Sequence, residues 1–345
     1  MLRLFLVVLA LLSLGLPASA QEMTARFGSG ATPFLVRSTT DVAIIRPVME
    51  RFAALNPEIA ITYEQWGSNG LFDQSRAECR EGTPGADAVL SSAVQQMVWL
   101  VNAACAQPYR SAETAALPAT RRWRDELWGV TIEPAVIAYN KRLLPVDEVP
   151  RSRFALLDAL RERPQVFHNR IATYDIAESG LGFLFAYSDS LEATTFGGLL
   201  EGFARVDAVA TCCSAEIISG VANGRYVMAY NVLGSYVANA NEPDVGMILP
   251  EDYTLLLSRG YMIPKGAVRA DIAARLLDYL LGPEAQRLLV QAGLVTEMDD
   301  TEPALAVSAR RYIALSPTLL VARDANRRTL LLQFWSDTFR QAAFP

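Results

Sequence analysis

One histidine, His168, serves a chain of 345 residues. That scarcity leaves little room for histidine-based acid–base relays or histidine-rich metal sites. The chain has no G-x-S-x-G elbow, H-E-x-x-H helix, phosphate-binding P-loop or dinucleotide G-x-G-x-x-G. The hydrolase, metalloprotease and nucleotide signatures are therefore missing. Basic excess is missing too: 31 Lys and Arg stand against 37 Asp and Glu. Nucleic acid, which needs a basic patch to neutralise its phosphates, is not an expected partner. After residue 20 no run is apolar enough to span a bilayer, and there are no repeats, low-complexity tracts or long linkers. His168 itself sits in Pro164-Gln-Val-Phe-His-Asn-Arg170, which reads as a surface turn leading into a strand. The carboxylate pair Asp299-Asp300 lies in a tail with no cleft signal. Neither an enzyme nor a cofactor is implied.

What is present begins with an export signal over residues 1–20. Arg3 supplies the positive start, Leu4 to Leu16 the apolar stretch, and Ala18-Ser19-Ala20 the small-residue cleavage site. Cleavage before Gln21 leaves 325 residues. Only Arg3 is lost among the charged groups, so 30 basic side chains remain against 37 acidic ones, a net of −7. The expected location is the periplasm, and the expected state a soluble monomer. A chain of this length exceeds what a single core supports, so two compact lobes are expected.

The mature chain alternates strand and helix patterns. Phe34–Arg37 reads as a strand, and a helix is expected from Pro47 to Leu55, with Val48, Phe52 and Leu55 on one face. Pro47 suits a first helical turn, which makes Asp41–Arg46 a loop. Ile59–Tyr63 is a second strand, followed by a helix to about Arg80. Ala86–Leu90 is a third strand, followed by a helix to about Ala104. In a right-handed β-α-β-α layout both helix ends fall at one sheet edge, so Cys79 and Cys105 are expected to form a disulfide in an oxidising compartment. Cys212 and Cys213 are adjacent and lack zinc-site spacing; two reduced thiols are expected there rather than the alternative, a strained vicinal disulfide. Trp128–Asn140 and Tyr253–Ile263 read as extended crossings between lobes.

Polar clusters recur at the carboxyl ends of the strands, where ligands sit in open α/β sheets. Ser38, Thr39, Thr40 and Asp41 follow the first strand, and Ser91 and Ser92 the third. In the second half, Thr173 and Asp175 with Ser179 and Gly180 follow one strand. Cys213 and Ser214 precede a helix, and Asn231 and Tyr236 follow the strand Val227–Tyr230. Any one of these clusters is an ordinary helix cap. Five on the same edge of two lobes point to a small-molecule cleft, and helix N-termini there favour negative charge.

Several segments carry a family resemblance. They are Ser38-Thr-Thr-Asp41, Ala86-Asp-Ala-Val-Leu-Ser-Ser-Ala93, Ile132 to Pro145, Val149-Pro-Arg-Ser-Arg153 and Ile171-Ala-Thr-Tyr-Asp175. Ser179-Gly-Leu-Gly-Phe183, Tyr230 to Tyr236, Asp252-Tyr-Thr-Leu255 and Ile313 to Leu320 extend it. The chain resembles the periplasmic solute-binding proteins of ABC transporters with the type II fold. Within them it is similar to the branch of iron(III)-type, phosphoglycerate transport regulatory and hexose-phosphate-binding proteins. The resemblance implies an α/β fold of two lobes, two sheets flanked by helices and joined by two crossing strands. Lobe 1 is expected over 21–133 and 258–295, lobe 2 over 134–257, and a helical tail over 296–345. It also implies capture of a small solute by lobe closure and delivery to an ABC permease. Ferric sites in that branch use neighbouring tyrosines. Here Tyr230 and Tyr236 are separated and no Tyr-Tyr doublet occurs, so an anionic organic solute is expected instead: a phosphorylated sugar, a glycerate phosphate or a carboxylate. The tail from Tyr312 to Phe344 motivates a second reading, an adaptor that presents the closed form to a membrane sensor kinase.

Overall fold

Residues 21–296 and 305–339 are described by the computed structural model; the export signal and Asp299-Asp300 lie outside them. The chain opens with β1 (Gln21–Phe27), β2 (Thr32–Ser38), α1 (Val42–Leu55), β3 (Ile59–Trp66), α2 (Ser68–Glu81), β4 (Ala88–Ser91) and α3 (Val94–Asn102). Short α4 (Ala112–Ala116), β5 (Arg122–Trp123) and β6 (Leu127–Gly129) lead to the long β7 (Glu133–Asn140). Then come α5 (Arg153–Glu162), α6 (Pro164–Phe167), β8 (Ile171–Tyr174), α7 (Gly180–Glu192), α8 (Phe196–Arg205) and β9 (Val209–Thr211). They are followed by α9 (Ser214–Ala222), β10 (Met228–Leu233), α10 (Gly234–Asn239) and β11 (Val245–Ile248). The chain returns through β12 (Thr254–Leu257) and β13 (Gly260–Met262) to α11 (Ala270–Leu281) and α12 (Pro283–Gln291). It ends with β14 (Arg310–Tyr312) and α13 (Ala325–Phe339).

Two mixed sheets result, ordered β1-β3-β2-β4-β13-β6-β5 and β14-β12-β7-β10-β8-β9, with β11 added beside β7. The chain passes from one sheet to the other between β6 and β7 and comes back between β12 and β13. This is the two-lobed α/β architecture expected of a type II binding protein. In the first sheet β2 pairs in parallel with both β3 and β4. In the second, β8 pairs in parallel with β10 and β9. All these strands end toward the gap between the lobes.

Three local points differ from the sequence reading or go beyond it. The first helix begins at Val42, not Pro47, and Pro47 lies inside it. An interior proline costs about 3 kcal/mol. Val42, Ile44 and Ile45 are all buried in that first stretch, and burying each contributes about 1.5–3 kcal/mol. Burial therefore outweighs the missing N–H. The second is β1, a strand for which the sequence reading carries no expectation: it shows no clear alternation because most of it is exposed, yet its backbone pairs antiparallel with β3. The third concerns Cys212 and Cys213, which are joined to each other rather than reduced. They occupy the bend between β9 and α9, outside both elements, where the backbone is free to take the conformation the small ring needs. Cys79 and Cys105 form the expected disulfide, with their Cα atoms 5.4 Å apart. It ties the last turn of α2 to the turn after α3.

The tail packs on both lobes: on the first, the Leu315 amide donates to the Thr120 carbonyl at 2.8 Å and Arg323 lies 4.2 Å over the Phe72 ring, while α13 covers the second. Trp335 is buried in the same apolar cluster as Leu156, Phe203 and Tyr230, and Phe339 lies 6.3 Å from Phe203, ring to ring.

Candidate functional site

A cavity of about 280 Å³ lies between the lobes. The first lobe contributes Glu22, Thr39, Asp41, Gln65, Trp66, Gly67, Ser68 and Ser92 to its walls. The second contributes Tyr174, Glu178, Ser179, Leu181, Cys212, Cys213, Ser214, Ala215, Leu233 and Tyr236, and Arg259 lines it from the return crossing. A larger cavity, about 590 Å³, lies between α13 and the β9 edge with a mainly apolar lining. The interlobe cavity holds the convergent polar groups and the strand ends, which is where an open α/β fold places a ligand.

The lobes touch around this space. Tyr236, on α10, donates its hydroxyl to Asp41 Oδ1 of the first lobe at 2.7 Å. Asn69 Nδ2 donates to the carbonyls of Ala177 and Glu178 at 2.9 and 2.8 Å. The Gly180 amide donates to Ser68 Oγ at 2.9 Å, and Gln95 Nε2 to the Gly180 carbonyl at 2.7 Å. The lobes approach closely at Gly180: a Cβ there would lie 2.6 Å from Gln96 Nε2 and 3.1 Å from Ala93 Cβ, so the Gln96 side chain would have to shift. These contacts bridge the gap, so the lobes are drawn together.

The expected site residues divide between the cavity wall and the interior beneath it. Thr39, Asp41, Ser92, Ser179, Cys213, Ser214 and Tyr236 line the cavity. Ser38, Thr40 and Ser91 are buried beneath it. Ser38 Oγ accepts the Thr40 amide, Ser91 Oγ accepts the Ala93 amide, and Thr40 Oγ1 accepts from Arg259. Gly180 forms part of the interlobe seam. Thr173 and Asn231 face the interior of the second lobe. Thr173 donates to the Tyr230 carbonyl and Asn231 donates to Asp189. Asn231 adopts a left-handed φ of 54° at the bulge in β10, a conformation asparagine tolerates better than most residues. Asp175 accepts the Ala177 amide and lines the tail cavity. Tyr230 is also interior, bonded to Arg153 and Asp189.

Residues outside the expected set fill the gaps. Tyr174 stands one position from Thr173 and from Asp175, hence on the opposite strand face, and shares a 2.6 Å hydrogen bond with Ser214 Oγ. Burial pushes its phenol up to about 12, so it is a neutral hydroxyl. Burial likewise raises Tyr236, and Asp41 raises it further against the opposing pull of Arg259. Gly67 and Ser68 open α2, and a search for helix N-termini beyond strand ends would have found them. Glu22 and Gln65 gave no signal, because they depend on the pairing of β1 with β3.

Arg259 is fully buried, and its Nε and Nη2 donate to Glu133 at 2.7 and 3.0 Å. Burial alone would lower its pKa, but the Glu133 carboxylate more than compensates and holds the guanidinium charged. Its Nη1 reaches Thr40 Oγ1 at 3.1 Å and the Thr39 carbonyl at 3.4 Å. The cation thus props the Thr39–Thr40 wall from behind. The first turns of α2 and α9 offer amides of Ser68, Asn69, Ser214 and Ala215 to which no acceptor is paired among the described residues.

The model of the family described as bacterial extracellular solute-binding protein matches residues 37–287. The chain belongs to that family. Among solved structures, this solute-binding protein is similar to the substrate-binding protein of an ABC transporter from Agrobacterium tumefaciens. The identity is 30%, the TM-score 0.86, and the match covers 94% of this chain and 100% of that one. It shares its fold with the periplasmic binding protein AfuA from Actinobacillus pleuropneumoniae, solved with fructose-6-phosphate bound: 14% identity, TM-score 0.70, 90% of this chain and 99% of that one. Iron-bound HitA from Pseudomonas aeruginosa gives 16% identity and a TM-score of 0.67 over 89% and 99%. These neighbours are periplasmic binding proteins of the branch the sequence resembles. No curated protein matches the chain. Members of the family bind small solutes outside the cytoplasm and deliver them to ABC permeases; family and fold are those of transport proteins. Among the described residues no helix is long and apolar enough to cross a membrane.

Proposed function

We propose that this protein captures a small organic solute carrying an anionic group between its lobes, closes over it and hands it to the permease of an ABC importer. One observation carries the reading. The first turns of α2 and α9, from opposite lobes, border one 280 Å³ cavity with unpaired amides, alongside the hydroxyls of Thr39, Ser68, Ser92 and Ser214. Helix N-termini attract anions through those amides and the helix dipole. A ligand that touches both lobes favours the closed state and shifts the population toward it. The reading takes residues 21–133 and 258–295 as one lobe, 134–257 as the other and 296–345 as a tail; the two sheets support the division into lobes, and β14 of the tail joins the second sheet.

A thermal-shift panel of phosphorylated sugars, glycerate phosphates and di- and tricarboxylates tests it. A true ligand at a hundredfold excess over its dissociation constant adds about 2.7 kcal/mol of apparent stability. No shift with any anion, together with a visible charge-transfer band on adding ferric iron, would sink the proposal. The interior position of Tyr230 weighs against iron, since that phenol is committed to Arg153 and Asp189.

A further inference from the structure

Three carboxylates border the cavity: Asp41, half-buried in its wall, and Glu22 and Glu178, exposed at its rim. None of the three pairs with a basic side chain among the described residues. The cation on its wall, Arg259, is neutralised by Glu133 at 2.7 and 3.0 Å.

Two of these carboxylates are held side by side. Gln65, which is 9% exposed, accepts the Val42 amide on its carbonyl at 2.9 Å. That fixes the direction of its side-chain NH2, which donates to Glu22 Oε2 at 2.8 Å and to Asp41 Oδ1 at 3.4 Å. Tyr236 adds a second donor to Asp41 Oδ1. Glu22 Oε1 and Asp41 Oδ2 accept no hydrogen bond among the described residues. The first of these oxygens would lie 3.4 Å from a Cβ built on Gly67, at the mouth of α2 and on the cavity wall. No group of three or more His, Cys, Asp or Glu that could hold a metal ion occurs among the described residues. A protonated amine fits better: it brings three donors and no acceptor, matching the two open carboxylate oxygens on the cavity wall.

We infer that the solute bears an ammonium group as well as its anionic group, with the ammonium on the Glu22–Asp41 edge and the anion at the first turns of α2 and α9. The inference rests on the capture reading and narrows its substrate class to zwitterions. The test is binding to matched pairs that differ only by amine against hydroxyl, measured by calorimetry and thermal shift on the mature chain. Suitable pairs are serine and glycerate, phosphoserine and 3-phosphoglycerate, and glucosamine 6-phosphate and glucose 6-phosphate, with putrescine as a cation lacking any anion. The amine member of at least one pair is expected to bind tenfold or more tightly than its hydroxyl partner. Asp41→Asn and Glu22→Gln are each expected to erase that preference while keeping the native circular dichroism spectrum. Equal or tighter binding of the hydroxyl members overturns the ammonium and leaves anion capture standing. Binding of putrescine alone overturns the anionic half and keeps the ammonium. No binding by any member counts against both.

Discussion

Arg153 and Arg259 are both fully buried and both tied to a buried carboxylate, yet they occupy different kinds of place. Arg153 lies inside the second lobe. It reaches Asp189 at 3.1 Å and Asp252 at 3.2 Å. It also donates to the Tyr230 hydroxyl and the Tyr253 carbonyl, each at 2.7 Å, and stacks 3.6 Å from the centre of the Tyr253 ring. Every partner belongs to one lobe, so its geometry need not change when the lobes move. Arg259 sits where the chain returns between the sheets, and its partners are Glu133 at the other crossing and Thr39–Thr40 on the ligand wall. The same chemistry thus consolidates a lobe in one place and connects the hinge to the site in the other.

The largest expected effect comes from breaking the interior cluster. Arg153→Met leaves two carboxylates without their cation, and losing one partner of a buried pair costs about 3–5 kcal/mol. A urea titration should show that loss in full, while the protein that remains folded binds its ligand with unchanged affinity. Arg259→Met should fall at the lower end of the same range, because a single carboxylate, Glu133, loses its cation and keeps the hydroxyls of Thr131 and Ser235. Its ligand affinity should drop at least tenfold as the Thr39–Thr40 wall loosens. If both variants lose stability and neither loses affinity, the distinction between interior and hinge fails.

Next in size is the contact that exists only when the lobes meet. Tyr236→Phe removes the hydroxyl that donates to Asp41. A hydrogen bond to a charged group contributes about 1.5–3 kcal/mol, so the closed state should weaken by roughly tenfold or more in affinity. Because the bond spans the lobes, the ligand-free chain should also be more open, with a larger radius of gyration in solution scattering. Lost thermal stability without a change in scattering would make Tyr236 an ordinary packing residue.

Sequence alone reached the lobes and the strand ends because both follow from simple rules: alternating strand and helix patterns, and hydroxyls where strands stop. It did not separate neighbours. Ser38, Thr39, Thr40 and Asp41 look alike as a run, but β2 ends at Ser38 and the other three form the bend that leads into α1. That bend puts Thr39 and Asp41 on the cavity wall and leaves Ser38 and Thr40 buried beneath it. Within β8, alternation of faces exchanges Tyr174 for Thr173. Choosing the correct face needs the register, and register comes from pairing between distant segments. Glu22 was out of reach for that reason, since only the pairing of β1 with β3 brings it beside Gln65. Pro47 misled in another way: its local preference was real, but the burial of Val42, Ile44 and Ile45 outweighed it.

The smallest effect is expected from the one histidine. His168 is 56% exposed along its side chain, with Nδ1 3.2 Å from Asp207 Oδ2. Exposed pairs of this kind contribute about 0–1 kcal/mol, so His168→Ala should move the unfolding midpoint little. Its position argues for silence in binding as well. His168 precedes β8 and so lies at that strand's amino end, whereas Tyr174 at the carboxyl end lines the cavity. A whole strand separates the two. Calorimetry with any ligand found in the panels should give the wild-type affinity from pH 5 to pH 8, the range over which a histidine changes charge. A tenfold loss would mean that the amino edge of the second sheet communicates with the cleft, and that the lobe holding Arg153 is less rigid than its buried cluster implies.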